Sequence, residues 1–114
     1  MRNLLIGTLL FIIGQSLIWF QTNGQFVWPW FKKNPLIVSI VAGTGISYIF
    51  IMATRMIAEY YDGTLWPGRF IAFGSGIFGF TFLTWYFMNE GITLKTLISL
   101  ILAITIVSIQ ILWK

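Results

Sequence analysis

Cysteine and histidine are absent from this chain of 114 residues, and only three residues are acidic. Without thiolate or imidazole, the usual sulfur and nitrogen ligands of zinc are missing, as are Cys–His and Ser–His–Asp nucleophile systems. The same lack argues against haem and iron–sulfur ligation. Disulfides are excluded, so cysteine usage carries no signal of compartment. The acids, Glu59, Asp62 and Glu90, fall at or beyond the ends of apolar runs. A paired-carboxylate site deep in a bundle is therefore excluded. The chain is expected to be no enzyme and to hold no cofactor and no metal.

Charge is the next scarcity. Charged residues make up 9% of the chain and hydrophobic ones 58%, whereas soluble domains carry about 25% charged residues. A water-soluble fold would expose too much apolar surface. The net charge of +4 comes from basic residues scattered along the chain. No basic stripe forms, so nucleic acid is not an expected partner, and lipid headgroups are the natural contacts of these cations.

What the chain has instead is four long apolar runs: Leu4–Phe20, Leu36–Thr54, Phe70–Met88 and Leu94–Trp113. Three carry no charge, and the fourth carries only Lys95, one residue inside its start. At 1.5 Å per residue, about 19 residues span roughly 28 Å, the thickness of a bilayer's hydrocarbon core. The fold class that follows is an all-α integral membrane protein, a single four-transmembrane-helix bundle over residues 1–114. The helices are expected at about 3–20, 36–58, 69–88 and 92–113. The first run follows Arg2 as a signal peptide would, but no small-x-small cleavage site comes after it, so it reads as a retained span.

The breaks between runs are short. Gln21 to Pro35 holds Trp28, Trp30, Lys32 and Lys33, which suit a headgroup region. Arg55 to Arg69 holds Asp62-Gly63 and Trp66-Pro67-Gly68, read as turns. Asn89–Thr93 is so short that the last two helices must be antiparallel neighbours. An even number of spans puts Arg2, Arg55, Arg69 and Lys114 on one side and Lys32, Lys33 and Lys95 on the other. Four against three is a small bias. Two topologies stay open: both termini cytoplasmic, or insertion both ways round with antiparallel pairing.

In lipid, helices associate through close packing at small residues. Ser39, Gly43 and Ser47 line one face of the second span, and Ala72, Gly76 and Gly79 mark the third. Gly7 and Gly14 flank Phe11 on the first, and Thr96, Ser99, Ala103 and Gln110 form a stripe on the fourth. Each reads either as plain packing or, for the glycines, as room for a ligand beside aromatic rings. Gln15 and Tyr48 lie well inside their spans, where an amide or phenol needs a partner. That partner is another helix or a ligand. Arg55 and Glu59, four residues apart, suit a snorkelling ion pair.

Four short helices in this length is the format of the small multidrug resistance proteins and other four-helix members of the drug/metabolite transporter superfamily. Ile13-Gly14-Gln15-Ser16-Leu17-Ile18-Trp19-Phe20 followed by Trp28-Pro29 resembles their first helix and loop. Tyr86-Phe87-Met88-Asn89-Glu90, leading into a Leu- and Ile-rich closing helix, looks like the superfamily's aromatic-x-x-Glu turn. Asn34-Pro35-Leu36 and Ala53-Thr54-Arg55 are similar to an uncharacterised four-helix group of the same superfamily. The resemblance departs at one decisive place. The multidrug members carry a membrane-embedded Glu three residues before that glycine, and here the position is Phe11. Their third-helix Trp also has no clear counterpart in Phe70–Phe73.

The resemblance implies a small transporter working as a homodimer, parallel or antiparallel, with the fourth span as its seam along Thr96, Ser99, Ala103 and Gln110. The first three spans would line a substrate cavity with Phe11, Gln15, Trp19, Gly43, Tyr48, Trp85 and Tyr86. Without the buried acid, a neutral, zwitterionic or amphipathic small-molecule solute is expected, with little proton-coupled export of cations. The expected location is the cell's inner membrane, with the lipid bilayer as the first partner. Two other readings stay open. One is a non-transport assembly subunit of a membrane complex. The other is a dual-topology ion channel, since Gly79-Phe80-Thr81-Phe82-Leu83-Thr84 resembles in part the third helix of fluoride channels.

Overall fold

The computed structural model describes residues 1–113; Lys114, counted above for topology, lies outside them. Five α-helices follow one another: α1 (Arg2–Asn23), α2 (Pro29–Lys33), α3 (Pro35–Tyr60), α4 (Trp66–Met88) and α5 (Leu94–Leu112). A single 3₁₀ turn, Gly24–Phe26, joins α1 to α2. Four helices are long and apolar enough to cross a membrane: α1, α3, α4 and α5. No strand forms among the described residues. The chain is an all-α integral membrane protein built on four spanning helices.

Proline sets two of the helix starts. Pro35 opens α3 and Pro67 sits in the first turn of α4. A proline is tolerated there because the first N–H groups have no intrahelical partner and the ring already sets a helical φ. Trp66-Pro67-Gly68, expected as a turn, is thus the first turn of α4. Gly68 and Pro67 are buried, and Gly68 lies against Ile57 of α3. The short α2 was not expected. Pro29 again starts it, and Phe31 folds back over Gly24, where a Cβ would come within 2.7 Å of the ring.

The ends are set by ordinary cap chemistry. Asn89 takes a left-handed conformation (φ 56°) and stops α4, a role Asn fills more readily than most residues. Thr93 caps α5 by accepting a hydrogen bond from the Thr96 N–H at 3.3 Å. After α3, Asp62 and Gly63 both have positive φ, and the Gly63 N–H reaches the Ala58 carbonyl at 2.7 Å.

α1 is the centre of the molecule. It packs on α3 along one side and on α4 along the other, while α5 packs mainly on α4. The molecule is a slab with extents of 47 × 36 × 18 Å. Glycines bring the central helices together. Ile57 occupies the space beside Gly7, and the Phe50 ring occupies the space beside Gly14. Phe11, Ala53, Ile57 and Ile71 form the core from three helices, with Phe50 and Tyr61 against it. In lipid such contact, rather than expulsion of water, holds helices together.

Candidate functional site

The expected cavity between the first three spans is filled by the protein's own side chains. Phe11 is buried in the core, its ring 5.8 Å from that of Phe50. The Gln15 amide Nε2 donates to the Ala72 carbonyl at 3.1 Å. Its Oε1 sits where a Cβ of Gly76 would lie 3.0 Å away. Ser16 takes the space beside Gly79, and Gln21 approaches Gly43. The glycines expected to make room for a ligand make room for neighbouring polar side chains instead.

Trp19 is buried as well, and its Nε1–H donates to Thr84 Oγ1 at 2.9 Å. Around it, Phe20, Trp28 and Phe87 pack ring to ring at 5.4 to 6.0 Å. This aromatic plug closes the α1–α4 seam near the 3₁₀ turn. Tyr48 does not join Gln15: it is 67% exposed on the outer side of α3. Tyr86 is exposed too, stacked on Phe82 at 6.3 Å. Of the seven expected substrate contacts, Gln15 and Trp19 share the α1–α4 seam, Phe11 lies in the core, and Gly43, Tyr48 and Tyr86 lie apart from them.

Trp85 alone among the seven lines a concavity on the lipid side of α4. This is a groove of about 670 Å³ between α4 and α5, floored by Thr8 and Ile12 of α1. Its α4 wall carries Gly74, Phe78, Thr81 and Trp85, spaced four, three and four apart on one helical face. That spacing is the signal in the sequence that could have found it. The α5 wall carries Leu100, Ala103, Ile104 and Val107. The helices touch closely where Val107 enters the space beside Gly74. The groove runs from Ile71 and Ile111, past this contact, to Ile92, in the turn before α5.

The lining is apolar apart from the hydroxyls of Thr8, Ser75, Thr81 and Ser108 and the indole N–H of Trp85, and it contains no charged residue. The Thr81 hydroxyl donates to the Ile77 carbonyl at 2.7 Å, so even it is satisfied within the helix. No Asp, Glu, Lys, Arg or Tyr lines it. It can hold an apolar body by contact. Among the described residues no group of three or more His, Cys, Asp or Glu gathers to hold a metal ion.

The expected dimer stripe on α5 is split by the same groove. Ala103 is buried within the chain against the α4 side. Thr96 and Gln110 are half-buried, and Ser99 is exposed. Ala103 therefore serves the α4–α5 contact before any contact with a second copy. The free face of α5 carries Ile98, Ser99, Leu102, Thr105 and Ile109, all exposed.

Comparison with known proteins adds no relative: no family model matches the chain, and no curated protein and no solved structure matches it. The resemblance to small multidrug resistance proteins rests on its sequence motifs alone. What the fold establishes is a small integral membrane protein of four long apolar helices.

Proposed function

We propose that this chain is a small transporter-like protein of the cell's inner membrane. It acts as a homodimer and moves a small neutral, zwitterionic or amphipathic solute. The observation that carries this reading is the uncharged groove of about 670 Å³ beside α5. Its size falls within the roughly 300–1,000 Å³ of small-molecule sites. The free apolar face of α5 offers the surface for a second copy. Phe11, buried among Ala53, Ile57 and Ile71, leaves no titrating group at the place where the multidrug proteins carry their acid, so proton-coupled export of quaternary ammonium compounds is not part of the reading.

A second reading has its own support. The Gln15 amide nitrogen and the Trp19 indole N–H, both on α1, donate to protein partners on α4. That suits an assembly subunit whose interior is sealed. Reconstitution separates the two. Proteoliposomes should take up a neutral amphiphilic solute saturably, and Thr81→Trp, which fills the groove, should abolish the uptake. Uptake no faster than leak into protein-free liposomes would leave the assembly reading in place. The mass of the detergent-solubilised protein reports the copy number directly.

A further inference from the structure

We infer that α2, with its two lysines, forms a docking surface for the headgroup of an anionic phospholipid. The fold holds this surface in place. Pro29 starts α2, and Phe31 turns inward onto Gly24. Trp28, just before it, packs ring to ring on Phe20 at 6.0 Å and on Phe87 at 5.6 Å. The Asn34 Nδ2 donates to the Trp30 carbonyl at 2.9 Å and closes the far end. The short helix is thereby pinned to the ends of α1 and α4. Successive residues lie about 100° apart around a helix. With Phe31 facing in, Trp30, Lys32 and Lys33 face out, and all three are exposed. Trp30 and Lys33, three residues apart, are neighbours on that outer side. The surface shares none of the residues that line the α4–α5 groove.

Charge selects the partner. No acidic residue precedes Glu59 in the chain. At the end of the bundle where α1 and α4 finish and α3 and α5 begin, the charged residues are Lys32, Lys33, Lys95 and Glu90, all exposed. Glu90 and Lys95 flank the α4–α5 turn and offset each other in sign, which leaves the α2 pair uncompensated. At the opposite end Arg55 and Glu59 lie one helical turn apart and Asp62 follows, so cations there are interleaved with acids. Two adjacent ammonium groups attract the phosphodiester of a lipid with net negative charge. A zwitterionic headgroup brings its own cation to the same place and gains less. The exposed Trp30 suits the glycerol region beneath the phosphate, where indoles are favoured. A lipid that binds only the folded α2 also stabilises the fold.

The test uses the full chain in mixed micelles with equal amounts of dioleoylphosphatidylglycerol and dioleoylphosphatidylcholine. Native mass spectrometry counts which lipid stays bound. The expected result is a preference of about tenfold for the anionic lipid, the equivalent of roughly 1.4 kcal/mol. It should weaken as salt rises. Lys32→Gln with Lys33→Gln should bring the ratio to within about twofold of one. Lys32→Arg with Lys33→Arg should keep the preference, since charge is what the surface supplies. Arg55→Gln with Arg69→Gln removes as much charge at the opposite end and should also keep it. Phosphatidylglycerol should raise the thermal unfolding midpoint of the natural chain and not that of the first variant. A preference kept by the first variant would overturn the surface. An equal loss in the Arg55 and Arg69 variant would overturn its place on α2 in favour of a general attraction. Displacement of the lipid by an equal concentration of free glycerol 3-phosphate would overturn the lipid as the partner.

Discussion

Val107 of α5 occupies the space left by the missing side chain of Gly74 on α4: a Cβ at Gly74 would lie 2.6 Å from Val107 Cγ2. This close contact holds α5 against α4 partway along the groove. Gly74→Ala should force α5 outward and destabilise the fold by about 1–3 kcal/mol, as overpacking does. Adding Val107→Ala should restore most of the loss. Reversible unfolding in mixed micelles, followed by helicity, measures both variants; equal loss in the single and double variants would place the seam elsewhere.

Trp19 and Thr84 make the buried side-chain hydrogen bond between α1 and α4, at 2.9 Å. Thr84→Val removes the acceptor and keeps the shape. The stranded indole N–H should lower stability by about 1–3 kcal/mol, at the lower end if lipid-phase partners replace the hydroxyl. Thr84→Ser should be close to neutral. The midpoint of thermal unfolding in detergent distinguishes them.

Two glycines in the spans should respond in opposite ways. A Cβ at Gly14 would meet the Phe50 ring at 2.7 Å, whereas at Gly45 it would meet nothing within 4 Å. Gly14→Ala should open the α1–α3 seam and destabilise by about 1–3 kcal/mol. Gly45→Ala should be neutral or stabilising by up to about 1 kcal/mol, the helix-propensity gain. The same unfolding measurement scores the pair.

Much of this architecture is legible in the sequence, because bilayer thickness dictates run length and the runs are nearly free of charge. The short α2 and the start of α4 are less so. Pro67-Gly68 has the chemistry of a turn and equally that of a helix's first turn, and only the packing of Gly68 on Ile57 decides between them. The site was less legible still. The mid-span amide of Gln15 calls for a partner, but nothing local reveals that the partner is the Ala72 carbonyl, 57 residues away. Gly76 and Gly79 signal close approach without saying whether a ligand or a neighbouring side chain comes close. The mid-helix place of Tyr48 suggests burial, but the face of α3 that turns inward is the one that carries Phe50 and Ile57 onto Gly14 and Gly7 of α1.

Tyr61, just beyond the end of α3, has its phenol pKa raised above 10.0, first by burial and then by the neighbouring Tyr60. The folded state therefore keeps its proton where the unfolded chain has lost it. The resulting stability is present below pH 10 and is lost as pH rises from there through the folded pKa. Unfolding midpoints should fall across that alkaline window, and Tyr61→Phe should flatten this part of the decline. An unchanged slope in the variant would mean that Tyr61 is not the group responsible.

The proposed solute site lies in the groove beside α5, and not between Gln15 and Tyr48. Crystals of the protein grown in lipid with an amphiphile brominated along its chain would locate it through the anomalous scattering of bromine. The predicted result is a bromine peak between Thr81 and Ile104, in the groove beside α5. A bromine peak between α1 and α3, or α5 closed on α4 with the groove gone, would contradict it.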